Sequence, residues 1–418
     1  MMKLSFKKDL MFYKFSMYGF LKNLRFFDPF MVLFFREVGL SFFAIGTLYA
    51  IRDISTNILE IPTGIYADMF GRRKSMIMAF ISYIISFSIF YLFSNYYFYA
   101  LAMVFFAFGE AFRSGTHKAL ILEYLRINHM EDVKVDYYGH TRAASQLGSA
   151  VSSLIAAALV FYSGSYRYIF IASVIPYVLD LINLSTYPKE LDGDLNVMKK
   201  SDWKKQMKST LRDFILIFKN FEAIKVVLNS ASFSAFFKVS KEYLQPILKS
   251  LALSIPLFLT MDSIKRTSLT VGVVYFAIYL LTSYASRNAA KISGRFKNLP
   301  TAVNVTYFIG AILIALAGLS MNYRIQTLAV LSLLVLYVLQ NFRRPMNVSL
   351  VSDKISHKTM ASGLSVESQI TTVLMAIFAP LMGVVADKIG IGWALAFFGL
   401  FMFVVGAFVR VKEVKVAQ

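Results

Sequence analysis

The feature that most constrains this chain is its succession of long apolar runs. Each is about 20 residues or more, the length needed to cross a bilayer as a helix. Backbone N–H and C=O groups cannot stay unpaired in hydrocarbon, so such runs are helices or the strands of a closed barrel. Barrel strands alternate apolar and polar residues over about 10 positions. These runs do not alternate, and an all-α polytopic membrane protein follows. Twelve segments can be placed, near 14–37, 43–66, 75–94, 97–124, 140–162, 167–187, 224–249, 267–289, 301–321, 326–351, 361–385 and 390–410. Composition agrees, since only 16% of residues are charged where soluble domains carry about 25%, and mean hydropathy is +0.59.

A formal charge of +20 raises the question of nucleic acid, but the basic residues are not gathered into a groove-reading module. They lie between the apolar segments: Lys3, Lys7 and Lys8, then Arg72, Arg73 and Lys74, then Arg126, Lys134 and Arg142, then 287–297, Lys354 and Lys358. With the N-terminus inside, all of these fall on one side, which is the cytoplasmic bias expected of inner loops. Both termini are therefore expected in the cytoplasm, with the protein in the cytoplasmic (inner) membrane. The basic start runs straight into an apolar segment without a small-residue cleavage site and reads as a retained first helix. There is no cysteine, which excludes disulfides, thiolate metal sites and cysteine nucleophiles.

The longest interruption is 188–223, between an expected six-helix half at 1–187 and a second at 224–418. Within it Trp203, Met207, Leu211, Phe214, Phe218 and Phe221 recur at three- and four-residue intervals, with Lys204, Lys205, Lys208, Arg212 and Lys219 largely off that stripe. This pattern predicts an amphipathic helix lying on the anionic leaflet. The two halves also repeat one another. Phe112-Arg113 corresponds to Phe342-Arg343, Ser145-Gln146 to Ser368-Gln369, and Gly71-Arg72-Arg73-Lys74 to Gly294-Arg295-Phe296-Lys297. Equivalent segments recurring in order imply two halves of the same topology.

The most specific local motif is Gly64-Ile-Tyr-Ala-Asp68-Met-Phe-Gly71-Arg72-Arg73-Lys74, between segments two and three. Gly64 is expected at a close helix contact, Asp68 to cap or pair at the membrane edge, and Gly71 to make the sharp turn. The motif resembles the inner-loop signature of the major facilitator superfamily, and Glu60-Ile-Pro-Thr before it is also common in bacterial members. The second-half copy has Lys291 where Asp68 stands, and Gly383-Val-Val-Ala-Asp387-Lys-Ile-Gly390 repeats the spacing elsewhere. The resemblance implies a twelve-helix fold in two pseudo-symmetric halves, alternating access, and a cavity lined by segments one, four, seven and ten. It implies a gating role for Gly64, Asp68, Gly71, Arg72 and Arg73.

Those four segments each carry a polar stripe on an otherwise apolar helix, which must face protein or water. Segment one has Lys22, Arg25 and Asp28 before Pro29. Segment four has Glu110, Arg113 and His117. Segment seven has Lys238, Lys241, Glu242 and Gln245 before Pro246. Segment ten has Gln340, Arg343 and Asn347 beside Arg344 and Pro345. The prolines predict local kinks. Lys22, Arg25, Arg113, Lys238, Lys241, Arg343 and Arg344 outnumber Asp28, Glu110 and Glu242, and buried surplus charge needs a counter-ion or water. An anionic solute would supply it, with Lys22, Arg25, Arg113, Lys238, Lys241, Gln245, Arg343 and Asn347 as binding candidates and Asp28, Glu110 and Glu242 as proton carriers. Pairing within the bundle is the competing explanation. His117 reads as a bundle hydrogen-bonder, and Asp180 and Glu367 as hydrated groups near helix ends.

The expected function is secondary active transport of a small, anionic solute, driven by protons or another coupling ion. No phosphate-binding loop, HExxH or GxSxG motif points to hydrolysis or to an enzyme, and no cofactor is expected. The alternatives are a multidrug/proton antiporter, which the basic residues disfavour for hydrophobic cations, and a transport-inactive receptor or scaffold of the same fold. The expected partners are the lipid bilayer, the solute and the coupling ion, with no nucleic acid.

Overall fold

The computed structural model describes residues 8–192, 221–256, 259–293, 296, 298–354 and 360–411. The expected interfacial helix at 203–219 lies outside the described residues, as do Lys3, Lys7 and Lys358. Among the described residues the chain is all-helical, with no strand. We number the helices α1 Leu10–Lys22, α2 Met31–Glu37, α3 Phe42–Phe70, α4 Arg72–Leu92, α5 Tyr96–Arg113, α6 Thr116–Ile127, α7 Lys134–Ser163 and α8 Tyr168–Ser185. They continue as α9 Phe221–Glu242, α10 Leu244–Ser254, α11 Ser263–Ser293, α12 Leu299–Asn322, α13 Gln326–Lys354 and α14 Met360–Phe408. Among the described residues, seven helices are long and apolar enough to cross a membrane by length and composition, as befits a multi-pass membrane protein.

The boundaries have local causes. Asp9 accepts a hydrogen bond from Phe12 N at the start of α1, Asn95 from Tyr97 N at α5, and Asn298 from Thr301 N at α12. Each satisfies an amide that the first turn of a helix leaves without a partner. Gly164, with φ of 67°, ends α7 in the left-handed conformation favoured after a helix. Helix α14 folds back at Gly390, where φ is 86°, so segments eleven and twelve meet with no loop between them.

Three of the four stripe-bearing segments are broken. Segment one is split between α1 and α2 around Pro29, segment four between α5 and α6 at Ser114-Gly115, and segment seven between α9 and α10 at Tyr243. Segment ten runs unbroken as α13 through Pro345. A break frees backbone groups that lipid cannot satisfy, so it belongs where protein or water is at hand.

Two compact units can be distinguished. The first holds α1, α2, α4 to α8, α3 from Ile51 onward and α11 up to Tyr279. The second holds α3 up to Ala50, α9, α10, α11 from Leu280, and α12 to α14. In the first unit α1 lies directly against α7. A Cβ on Gly19 would stand 2.6 Å from Ser145 Oγ, and one on Gly148 2.5 Å from Phe20 O, so this approach is open to glycine alone. Aromatic rings fill the rest of that core, with Tyr83, Phe87, Phe106 and Tyr177 packed edge to face. In the second unit Phe236, Phe378, Phe398 and Phe401 form the equivalent cluster.

Candidate functional site: a two-arginine, one-carboxylate cluster

The breaks in segments one and four bring their polar stripes together. Arg25, in the turn between α1 and α2, donates from Nη2 to Glu110 Oε1 at 2.6 Å. Arg113, one turn after Glu110 at the end of α5, donates from Nη2 to Glu110 Oε2. Tyr83 of α4 closes the network: its hydroxyl donates to Glu110 Oε1 at 2.8 Å and accepts from Arg113 Nε at 3.1 Å. One carboxylate therefore holds two guanidiniums, both of whose side chains remain about one-fifth exposed. Arg25 also stands over the ring of Phe106 at 5.8 Å.

Lys22 ends α1 beside this network, with Arg113, Arg25, Glu110 and Asp28 as its charged neighbours. Among the described residues its ammonium has no hydrogen bond or ion pair. The cluster thus sets Lys22, Arg25 and Arg113 against Glu110 and Asp28, and a positive charge is left over. His117 is not part of it. Its ring stacks on Tyr18 at 3.5 Å and its Nε2 lies 3.4 Å from Tyr187 Oη. Asp180, expected to be hydrated near a helix end, is fully buried and takes one hydrogen bond from Asn183. It lies in α8, which runs on to Ser185.

The loop motif is arranged differently from its sequence reading. Gly71 has φ of 101°, a conformation that only glycine adopts without strain, and it makes the turn between α3 and α4. Asp68 does not cap α4, and among the described residues it makes no hydrogen bond or ion pair. The cap comes from Asp192, after α8, whose Oδ1 accepts from Arg73 N at 2.7 Å. Arg73 in turn donates to the carbonyl of Tyr187 at 3.1 Å, and Arg72 lies 3.9 Å from Glu123. Gly64 is not at a close helix contact, because a Cβ there would meet nothing within 4 Å. No spacing rule could have singled out Asp192, which reaches Gly71 across more than a hundred residues.

A family model of the Major Facilitator Superfamily matches residues 15–368. The chain belongs to the Major Facilitator Superfamily. The fold of this transporter is also that of solved relatives. A mutant of the nucleoside transporter NupG superposes with a TM-score of 0.78 at 16% identity, covering 96% of this chain and 100% of that one. A POT family transporter bound to a thioalcohol-conjugated peptide gives 0.73 at 14% identity, covering 98% and 96%. A mutant of the peptide transporter POT in complex with sulfate gives 0.76 at 11% identity, covering 98% and 95%. Among curated proteins none matches.

In the second unit of this superfamily member, the residues of the segment-seven and segment-ten stripes have other surroundings. Glu242 accepts from Tyr49 Oη at 3.1 Å and lies 3.3 Å from Lys241 Nζ. Lys238 is exposed and Gln245 is buried. Arg343 departs from the cavity-facing position expected of it. It is 0% exposed, and its Nη1 donates to Val303 O and to Thr306 Oγ1, the latter at 2.6 Å. Its Nη2 donates to Asn229 Oδ1 at 2.9 Å, and the guanidinium lies 4.0 Å from the centre of the Phe233 ring. Those contacts pin α13 to α9 and α12. Asn347, one turn further on the same face, is buried with it, whereas Arg344 is exposed.

The physical reason for the contrast between Arg113 and Arg343 lies in the residues that follow them. Arg113 precedes Ser114-Gly115, where φ of 71° at Gly115 ends the helix and frees the arginine to reach across the break. Arg343 precedes Arg344-Pro345, and α13 runs on through Pro345 without a break, so Arg343 stays on the packed face.

Proposed function

We propose that this chain is a secondary active transporter that moves a small anionic solute by alternating access, coupled to protons. We place it in the cytoplasmic membrane as twelve segments in two six-helix halves, with both termini inside. The reading rests on the surplus positive charge of the cluster formed by Lys22, Arg25, Arg113, Glu110 and Asp28. Three features of the cluster favour an anion. A charge at membrane depth needs a counter-ion or water, two guanidiniums present planar donor forks suited to carboxylate or phosphate, and Lys22 has a free ammonium. In this reading an arriving anion is taken by Lys22 and by the outward donors of Arg25 and Arg113. Glu110, engaged on both oxygens, keeps the arginines from repelling one another.

In this reading Arg343 serves the packing of α13. Asp68 acts in a conformation other than this one. The surplus cations also weigh against export of hydrophobic cations. The test is uptake into proteoliposomes of a panel of radiolabelled carboxylates and organic phosphates, driven by an inward proton gradient. Accumulation of at least one anion above its equilibrium level, abolished by an uncoupler, is the expected outcome. Gradient-driven movement of lipophilic cations with no anion transported would refute it.

A further inference from the structure

Glu60 is a carboxylate that neither the cluster nor the loop motif uses. It sits in α3, a helix of 29 residues, about 6 Å from the midpoint along its axis at 1.5 Å per residue. A carboxylate at that depth cannot face lipid without heavy cost. Its one described hydrogen bond comes from Ser114 Oγ at 3.3 Å, and none of the described ion pairs includes it.

The partner lies at an opening. Ser114 and Gly115 interrupt segment four, and both are exposed. The carbonyl of Phe112 that the break would free is met by Ser75 Oγ at 3.0 Å and Thr116 Oγ1 at 2.9 Å, so one side of the break is sealed by hydroxyls. The other side is empty: a Cβ on Gly115 would meet nothing within 4 Å, nor would one on Gly64, one turn along α3 from Glu60. Irregular backbone at membrane depth is tolerated only within protein or along water. In a bilayer the open side of Ser114-Gly115, and Glu60 with it, therefore belongs along protein or water and not along lipid.

Glu110 is clamped by two arginines, Glu242 by Lys241 and Tyr49, and Asp53 by Arg52 at 2.8 Å. Glu367 of α14, in the second unit, resembles Glu60 in that its carboxylate accepts from a serine, Ser230 Oγ, and it is in none of the described ion pairs. Asp180 is sealed from solvent. Around Glu60, the facing α5–α6 corner offers Ser114 and the Phe112 ring, which packs edge-on against Tyr66 at 5.4 Å. Arg113, next to Ser114 in the chain, is turned into the Glu110–Tyr83 network. Along α3 the neighbouring acids Asp53 and Asp68 lie about two turns away on either side. Glu60 can gain or lose a proton without breaking an ion pair.

We propose that Glu60 is a proton-binding site of this transporter, loaded and unloaded through water at the Ser114-Gly115 break. The proposal rests on the proton-coupled reading above and adds the residue that holds the proton. Infrared difference spectra of the reconstituted protein, acidic minus alkaline buffer and with no solute added, read protonated carboxyl groups directly. Wild type shows a carboxylic C=O band that disappears in Glu60→Gln and returns at a displaced frequency in Glu60→Asp, both variants eluting as the wild type does. If Glu60→Gln keeps every carboxyl band of the wild type, the proposal is wrong. It is equally wrong if Ser114→Cys, the only thiol in the chain, fails to react with a charged thiol reagent in open membranes. If the Glu60 band is confirmed but a pH step drives no solute in the wild type, Glu60 binds a proton and the proton-coupled transport reading is what fails.

Discussion

Arg25 and Glu110, 85 residues apart in sequence, meet at 2.6 Å, and Glu110 holds Arg113 with its other oxygen. Among the described residues the acid is thus the one ion-pair partner of both guanidiniums. Glu110→Gln leaves both cations facing each other, whereas Arg25→Gln leaves a one-to-one pair. Removing one side of a buried pair costs about 3–5 kcal/mol, and partial exposure here reduces that to about 1–3 kcal/mol. Thermal unfolding of purified protein should show Glu110→Gln as the more destabilised variant. The double variant should recover part of the loss, a coupling that a mutant cycle isolates.

Arg343 and Arg344 are sequence neighbours with opposite surroundings. Arg343→Ala strips three acceptors of their donor and opens a cavity against Phe233, with an expected loss of about 2–4 kcal/mol. Arg344→Ala, at an exposed position, should stay within about 0.5 kcal/mol of wild type. Apparent Tm values of the two variants in one detergent check this. A stable Arg343→Ala that has lost anion binding would return Arg343 to the solute site.

At the α3–α4 turn the effects should separate by residue. Asp192→Ala removes the cap on α4 and should cost about 0.5–2 kcal/mol. Gly71→Ala forces a side chain to a φ of 101° and should cost at least about 1 kcal/mol. Asp68→Asn, with no bond to lose among the described residues, should leave Tm unchanged yet slow turnover, since its role lies in another conformation. Melting curves with uptake rates for the three variants decide the matter.

Asp387 reaches the first turn of α3, accepting from Phe42 N and Phe43 N at 2.9 Å each. A carboxylate at a helix start satisfies orphan amides and complements the helix dipole. Asp387→Ala should free that turn, and a cysteine placed at the exposed Phe43 should then react faster with a thiol reagent than in the Asp387 background. Unchanged reactivity would mean that Ser41 Oγ, which accepts from Ala44 N at 3.1 Å, suffices as the cap.

Much of this was legible in the residues. Apolar runs without alternation lead to helices, the Gly64–Lys74 motif leads to the superfamily, and the spacing of Glu110 and Arg113 puts them on one face. The union of Arg25 with that face was not legible, because it depends on the break before Pro29 turning Arg25 toward α5. The repeat of Phe112-Arg113 in Phe342-Arg343 is real in sequence and misleading in space, since Gly115 breaks one helix and Pro345 continues the other. Asp192 and Tyr83 escaped notice for a common reason: each acts on residues far away in the chain, through contacts that only tertiary packing creates.

The central claim is that the Lys22–Arg25–Arg113 cluster receives the anionic group of the solute. Lys22 is the cleanest probe, because among the described residues its ammonium has no hydrogen bond and replacing the side chain leaves the bond from Tyr177 Oη to its carbonyl in place. Purified wild type, Lys22→Met and Arg344→Ala are titrated by thermal shift with a panel of carboxylates and organic phosphates. The account predicts that an anion stabilising the wild type binds Lys22→Met about tenfold or more weakly, as for loss of one charge-assisted contact, and Arg344→Ala with wild-type affinity. Equal affinity for wild type and Lys22→Met, or an equal loss in both variants, would contradict it.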